Sequence, residues 1–338
     1  MARHSIFGKA AAGGALLAES VGITGPPDTL AAEGIGEVEI ERNRRGKPFK
    51  GKVFAAVHAH LDDIPYFCAG TCAKLINEGY TGYLIRTSND EKCGYGTANE
   101  NIKSNEEEHY KMAEILGFSD VFDFYYRNHR MDGISPVEIR SRLIFLFRHL
   151  KVDTVLTFNP WGHGEENPDH WVTGEAVGSA YWMCAVDEDH PYVRDYEEHL
   201  EAGIEPHEIG ERYYFVGRAG QPYNHVVDVS SYIEQKIDAL TACKSQGGGC
   251  WGSRLRKKLA KEGKRLPILG NDDETADRAY VKQFMMTSYK RLGEQYGLEY
   301  AEAFLHFGGQ DTPVTASASY SRRQTVEEYI KKHSVPVR

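Results

Sequence analysis

Two short polar clusters in this sequence combine histidine with carboxylate side chains. The first is His60-Leu61-Asp62-Asp63, after an apolar run, and the second is Asn167-Pro168-Asp169-His170, at the start of a helical pattern. Two imidazoles and one carboxylate can hold a divalent cation and still leave a coordination position for water. His60 and Asp63 are three residues apart, so both can reach one ion across a tight turn. The clusters therefore predict an open metal site formed by His60, Asp63 and His170.

Asp62 is a further carboxylate beside these three residues. It lies between His60 and Asp63 in the chain and would point to a different side of the ion. A carboxylate in such a place can accept a proton from a water molecule that the metal activates. We therefore expect Asp62 to act as the general base of a hydrolytic reaction.

The elements that must position these residues alternate between strand and helix. Short apolar runs rich in strand formers are followed by segments with helical spacing, which predicts an α/β fold with a Rossmann-like, mostly parallel sheet and helices on both faces, in a single domain. Sites in such sheets form outside the carboxyl ends of the strands, where both polar clusters would lie. The predicted strands span 52–60, 81–88, 121–126, 154–158 and 224–229, and the predicted helices span 65–79, 104–117, 135–151, 170–184, 230–246 and 280–297.

The two clusters, together with the segments between them, resemble the LmbE-like or PIG-L family of zinc-dependent deacetylases. The family's first motif is AHPDDE, where this chain has AHLDDI over 59–64, and its second is HPDH, where this chain has NPDH over 167–170. Further likeness lies in MDG at 131–133 and in the run NHVVDVSSYIEQKIDAL, so that the resemblance covers roughly residues 50–246. Two motifs in this order and spacing are far more specific than a lone HxDD.

The resemblance implies an activity and a role for each residue. It implies hydrolysis of a linear amide bond that removes an acetyl group from an N-acetylglucosamine-type sugar or glycoconjugate. His60, Asp63 and His170 match the family's metal ligands, and Asp62 matches its general base. The ligand set favours one divalent ion, with zinc first and with iron or manganese tolerated. The proton for the leaving amine would come from Asp62 or from His225, on a late strand that the family brings toward the site.

Three departures from the family motifs keep other functions open. Leu61 replaces a proline, Ile64 replaces a glutamate, and Asn167 replaces the first histidine of HPDH. Asn167 can donate a hydrogen bond to a developing oxyanion but cannot carry a proton. The alternatives are an amidase for a thiol–sugar conjugate and a catalytically silent sugar- or metal-binding descendant. A dinucleotide-binding oxidoreductase is disfavoured, because no GxGxxG follows the first strand.

Several neighbouring polar residues and one cysteine pair allow two interpretations. Asp169 is either a helix cap or a catalytic group, and Asp90 either contacts sugar hydroxyls or is solvated. His58 is expected to be a core histidine. Cys68 and Cys72, four residues apart, are expected to be core residues on one helical face and not metal ligands.

Composition limits the partners and the location of the protein. A net charge of −9 suits neither nucleic acid nor anionic lipid, and no apolar stretch is long enough to span a membrane. Residues 1–35 are either a leader or a flexible extension, residues 36–310 the catalytic domain, and residues 311–338 a peripheral tail. The start RHSIFGK resembles a twin-arginine leader with His4 in place of the second arginine, so the protein is either cytoplasmic or exported. The sequence is compatible with a homo-oligomer.

Overall fold

One mixed sheet of eight strands forms the frame of the molecule. The computed structural model describes residues 37–162, 164–185, 199, 201–218, 220–308, 326 and 328–336. The strand order is β1-β7-β8-β6-β5-β2-β3-β4, and only β8 runs antiparallel to its neighbours. The strands are β1 (Glu39–Glu41), β2 (Val53–His58), β3 (Thr81–Ser88), β4 (Asp120–Tyr126), β5 (Thr154–Thr157), β6 (Glu211–Phe215), β7 (His225–Asp228) and β8 (Ala301–Phe307).

Helices connect these strands and cover both faces of the sheet. Short 3-10 turns lie at Met131–Gly133, Ser230–Tyr232 and Pro267–Leu269, and a π-helical turn spans Val281–Met285. The α-helices of the described residues are α1 (Asp63–Phe67), α2 (Ala69–Asn77), α3 (Ala98–Leu116), α4 (Pro136–Leu150), α5 (Pro168–Met183), α6 (Ile233–Ala242), α7 (Trp251–Lys261), α8 (Asp273–Tyr280) and α9 (Thr287–Gln295).

The central strand β2 contributes to two apolar cores because alternate side chains point to opposite faces. Phe54 and Ala56 pack in one core, which also holds residues of α2, α3 and α6. Ala55 and Val57 pack in the other core, which holds residues of α4 and α5. The predicted α/β fold, with a mostly parallel sheet covered on both faces, is therefore confirmed. Cys68 and Cys72 are both buried in the first core, as expected.

The structure differs from the predicted elements in several places. The helix predicted over 65–79 breaks at Cys68, whose φ of −150° is not helical, and becomes α1 and α2. The helix predicted over 104–117 begins earlier, because Thr97 and Glu100 form a capping box at its start. The charged stretch after 247 holds α7 and α8, and the strands β1, β6 and β8 were not predicted. Nearly all of β8 is buried, so the strand lacks the alternation of apolar and polar residues by which a strand is recognised in a sequence.

Residues 1–36 and much of the C-terminal segment lie outside the described part of the chain. The predicted leader over residues 1–35 lies outside the described residues, and its nature stays a prediction, as do the domain limits. Within the described part of the chain, no helix is long and apolar enough to cross a membrane.

Candidate active site

His60, Asp63 and His170 meet at the carboxyl ends of two neighbouring strands. His60 follows β2, Asp63 is the first residue of α1, and His170 lies in the first turn of α5, after β5. His60 Nδ1 is 3.0 Å from His170 Nε2, and Asp63 Oδ1 is 3.2 Å from the same His170 atom. All three side chains are buried. The structure thus brings the three predicted ligands together, with one donor atom of each within 4.8 Å of the others.

The backbone of the loop after β2 holds Asp63 in place. Its Oδ2 accepts hydrogen bonds from the backbone N–H groups of Ala59, at 3.0 Å, and His60, at 2.7 Å. These bonds leave Oδ1 facing His170. A carboxylate that is fixed by two backbone donors does not need to reorganise when it binds an ion.

Two buried polar side chains, those of His58 and Asp90, form hydrogen bonds with the backbone of the same loop. His58 Nδ1 donates to the carbonyl oxygen of His60 at 2.7 Å, and Asp90 Oδ2 accepts from the backbone N–H of Leu61 at 3.0 Å. Arg86 Nη1, 3.1 Å from the same Asp90 oxygen, balances its charge. His58 is therefore the core histidine that was expected. Asp90 is fully buried, and its carboxylate is bonded to the Leu61 N–H and to Arg86. It is therefore neither a sugar contact nor a solvated residue.

The outer nitrogen of each site histidine faces a carboxylate. His60 Nε2 lies 3.1 Å from Asp169 Oδ2, and His170 Nδ1 lies 3.2 Å from Glu165 Oε2. Carboxylates in this position hold the ring and direct its other nitrogen, with a lone pair, toward a metal. Asp169 is itself held by the backbone N–H of His129, at 2.7 Å, and Arg218 Nη2 lies 3.2 Å from Glu165 Oε1.

The electrostatics of the cluster favour positive charge at its centre. Burial opposes the charged form of His60, but the hydrogen bond with Asp169 and the charge of Asp63 outweigh it and raise the pKa of His60 to about 10. For His170, burial is likewise outweighed, chiefly by Asp63, and its pKa is raised. Burial opposes the charged form of Asp63 as well, but His170 lowers its pKa. The negative charges of Asp63, Asp169 and Glu165, which favour protonated histidines here, would also stabilise a bound cation.

The residues present fit a divalent metal ion. Two imidazole nitrogens face each other at 3.0 Å, an arrangement that requires a proton or a cation between them. Asp63 adds an anionic oxygen, and Asp169 and Glu165 orient the rings from outside. A ligand set of two histidines and one carboxylate suits zinc and other first-row transition metals, with positions left open for substrate or water.

Asp62 lies beside this ligand set with its carboxylate unpaired. Its backbone carbonyl accepts the first hydrogen bond of α1, from Tyr66 N–H at 3.1 Å, but its side chain makes no capping bond. Among the described residues its carboxylate makes no hydrogen bond or ion pair. Burial and the charge of Asp63 raise the pKa of Asp62 to about 7. The side chain is partly exposed and can therefore reach solvent or substrate.

The loop after α6 packs directly against Asp62. Gly247 has a φ of +69°, and a Cβ atom at this residue would lie 2.9 Å from Asp62 Cβ. Glycine is needed here both for the left-handed backbone and for the close approach. The loop thus packs against the predicted base, a contact that no sequence pattern indicated.

Asn167 caps α5 and also borders the metal ligands. Its Oδ1 accepts from the backbone N–H of Asp169 at 3.1 Å, and its Nδ2 lies 3.5 Å from His170 Nε2. The amide therefore presents an N–H group beside the ligand set. A histidine at this position would offer a proton, whereas asparagine offers only a hydrogen bond.

The structure places His225, one of the two expected proton donors for the leaving amine, away from the ligand set. Strand β7 is separated from β2 by β8, β6 and β5, so four strand spacings place His225 about 19 Å away. Its side chain pairs with Glu41, at 2.9 Å. Ile64, which replaces the glutamate of the family motif, is fully buried in the apolar core.

Glu165 is a site residue that sequence reasoning missed, and His129 is one that it treated by default as a solvated loop residue. Glu165 lies in the loop before Asn167, and His129 N–H holds Asp169 while its ring centroid is 5.7 Å from that of His60. His129 adopts a positive φ of 54°, which is uncommon for a residue other than glycine. The only available signal was the position of both residues in loops that follow strands, which does not distinguish them from solvated loop residues.

Comparison with known proteins supports this assignment of the fold and the motifs. Residues 55–181 match the PIG-L family, described as GlcNAc-PI de-N-acetylase. This range contains His60, Asp62, Asp63, Asn167 and His170.

Solved structures share the fold at low sequence identity. N,N'-diacetylchitobiose deacetylase from Pyrococcus horikoshii, in complex with an inhibitor, is 21% identical with a TM-score of 0.59, covering 80% of this chain and 91% of that chain. A conserved protein from Thermus thermophilus is 19% identical with a TM-score of 0.54, over 78% and 99% of the two chains. A 4-carboxy-2-hydroxymuconate hydratase from Pseudomonas putida is 18% identical with a TM-score of 0.55, over 77% and 98%. At these identities the likeness concerns the fold.

Proposed function

We propose that this chain, whose residues 55–181 match the PIG-L family, is a metal-dependent hydrolase that removes the acetyl group from an N-acetylated amino sugar or glycoconjugate. One observation carries the proposal: the buried donors of His60, Asp63 and His170 converge on one point, and the unpaired carboxylate of Asp62 lies beside them. The fold alone does not choose the reaction, since it also occurs in a hydratase.

His60, Asp63 and His170 would hold one divalent cation, for which zinc is our first candidate. When bound, such an ion polarises an amide carbonyl and lowers the pKa of a nearby water molecule. Asp169 and Glu165 keep the histidine rings oriented toward the ion, and the hydrogen bonds from Ala59 and His60 keep Asp63 in place.

Asp62 would move the proton in both halves of the reaction. It accepts a proton as the oxygen of the attacking water bonds to the amide carbon. It then returns that proton to the nitrogen as the C–N bond breaks, and acetate and the free amine leave. A carboxylate whose pKa lies near neutrality can serve in both directions. His225, about 19 Å away, is not needed in this scheme. Asn167 Nδ2 donates a hydrogen bond to the carbonyl oxygen as negative charge develops on it.

Acetate release from a substrate panel tests the proposal. The panel contains N-acetylglucosamine, N,N'-diacetylchitobiose and an N-acetylglucosaminyl inositol conjugate, each assayed with the metal-loaded protein and again after chelation. We expect acetate and free amine from at least one compound, lost on chelation and recovered with zinc. A thiol–sugar conjugate that carries a longer acyl group tests the alternative amidase function.

The departure at Asn167 favours one other candidate, a catalytically silent sugar- or metal-binding protein. Asparagine can donate to a bound carbonyl but cannot transfer a proton. This candidate predicts that the protein binds zinc and an N-acetylated sugar with no amine release. The variant Asn167→His, which restores the family residue, distinguishes the silent protein from the active hydrolase. If the wild type releases no amine and Asn167→His does, the wild type is the silent protein.

A further inference from the structure

A second group of histidine and carboxylate side chains lies on the sheet, far from the first. Glu39 and His225 are the first residues of β1 and β7 and are paired across these parallel strands. His225 pairs with Phe304 of β8, and His306 lies two residues further along that strand. Because side chains alternate along a strand, Glu39, His225 and His306 share one face of the sheet. We call these three residues the β1–β7–β8 cluster.

Their donor atoms converge. The Nδ1 atom of His225 lies 3.6 Å from Glu39 Oε2, and the rings of His225 and His306 have centroids 4.5 Å apart. One ligand atom from each residue lies within 4.8 Å of the others. His225 Nδ1 and His306 Nε2 are buried and lack a hydrogen-bond partner in the part of the chain that the structure describes. His225 is only 3% exposed, so leaving its nitrogen unpaired is costly.

Glu41 gives His225 the orientation of a metal ligand. Its Oε2 accepts from His225 Nε2 at 2.9 Å, which leaves Nδ1 with a lone pair directed at Glu39 and His306. Glu41 is held in turn by Lys74 and by the Tyr213 hydroxyl, at 3.0 Å from Oε2. This is the arrangement that Asp169 and Glu165 make around the first site. His306 Nε2, which has no hydrogen-bond partner among the described residues, is likewise available to bind an ion.

We propose that Glu39, His225 and His306 form a second binding site for a divalent transition-metal ion, separate from the site of His60, Asp63 and His170. Two imidazoles and one carboxylate prefer zinc, nickel, cobalt or copper over magnesium or calcium. Glu39 is exposed, so an ion can enter from solvent.

The role of such an ion would be structural. It would join β1, a three-residue strand at the edge of the sheet, to β7 and β8 through side chains. The neighbouring carboxylates are engaged by other groups among the described residues: Glu41 pairs with His225 and Lys74, and Glu211 accepts from the Thr154 hydroxyl at 3.4 Å. Within the described part of the chain, the cluster therefore lacks an unpaired base comparable to Asp62. Binding is therefore expected to raise the thermal stability of the protein without adding an activity.

Zinc titration of the full chain, stripped of metal, tests this site. Isothermal calorimetry should give two equivalents for the wild type and one for His60→Ala/His170→Ala, which lacks the first site. Adding Glu39→Gln to that double variant should weaken the remaining equivalent by at least about tenfold. Adding Glu37→Gln should not, because Glu37 is an exposed carboxylate on the same segment but outside the cluster. His306→Gln should act like Glu39→Gln.

Thermal denaturation gives a second readout in the same variants. Zinc should raise the Tm of His60→Ala/His170→Ala, and this rise should disappear with Glu39→Gln, whose exposed side chain has no packing role that would impair folding. The proposal is overturned if the wild type binds a single equivalent that His60→Ala/His170→Ala abolishes. It is equally overturned if Glu39→Gln and Glu37→Gln have the same affinity and the same Tm rise.

Discussion

The site after β2 and β5 and the β1–β7–β8 cluster have the same kinds of residues but different surroundings. Both combine two histidines with one carboxylate, and in both a further carboxylate holds the outer nitrogen of a histidine. Only the first has an additional carboxylate, Asp62, that no other group engages among the described residues. A ligand set alone provides a place for an ion, whereas hydrolysis also needs an unpaired base beside that ion to accept the proton of the attacking water.

The largest difference between the two regions should follow from removing one histidine in each. His170→Ala should lower hydrolysis by at least about 10³-fold, because a catalytic ion supplies several kcal/mol of transition-state stabilisation. His306→Gln, the matched change in the β1–β7–β8 cluster, should leave the turnover rate unchanged. The measurement is acetate release by both variants at equal protein and zinc concentration. Equal loss in both variants would show that the two regions do not have separate roles.

A smaller effect should follow from removing the carboxylate that orients His60. Asp169→Asn keeps a similar shape and can still accept from the N–H of His129, but it no longer stabilises the His60 ring through a charge. We expect the zinc affinity of the first site to fall by about 10- to 100-fold. Competition with a chromophoric chelator measures this affinity. An unchanged affinity would mean that the Asp169 contact serves only the helix start.

The pH dependence of hydrolysis should identify the base. Asp62 must lose its proton to act, so kcat/KM should fall with decreasing pH by about tenfold per unit. Burial and Asp63 raise the pKa of Asp62 to about 7 from the ordinary 3.8, and a bound cation would lower it again, so the midpoint should lie between these values. Metal content measured at each pH separates this effect from loss of the ion. A rate that is flat from pH 4 to 7, with metal retained, would contradict the assignment.

The smallest effect on activity should come from the carboxylate that orients His225. Glu41→Gln removes a buried charge that pairs with Lys74 and His225, and we expect it to lower the free energy of unfolding by about 1–3 kcal/mol. Hydrolysis should not change, because Glu41 lies far from Asp62 in the sheet. Urea denaturation and acetate release measure the two effects. A large loss of turnover without loss of stability would connect the β1–β7–β8 cluster to the reaction.

Local patterns were enough to predict the first site but not the strand order. His60, Asp63 and His170 follow or precede recognisable elements, and parallel strands bring such residues to one edge of a sheet. His225 also lies on a recognised strand, but no local pattern shows that the antiparallel β8 lies between β6 and β7. Its distance from the site therefore could not be predicted.

Contacts made by loops were the other part that the sequence did not reveal. Glu165 faces His170, and Gly247 packs on Asp62, only because of the paths that their loops take. Loop paths depend on tertiary contacts rather than on the local pattern of residues. Asp90 illustrates the same limit, since its position after β3 was compatible with a sugar contact until the structure showed it bonded to Leu61 and Arg86.

The most direct test of the central claim measures zinc content and acetate release together in Asp62→Asn. We predict the same zinc content as the wild type and a rate lower by about 10²- to 10⁴-fold, because the ligands remain while the general base is lost. Glu175→Gln, which changes an exposed carboxylate on α5, should retain both properties. An Asp62→Asn variant with wild-type turnover would contradict the account.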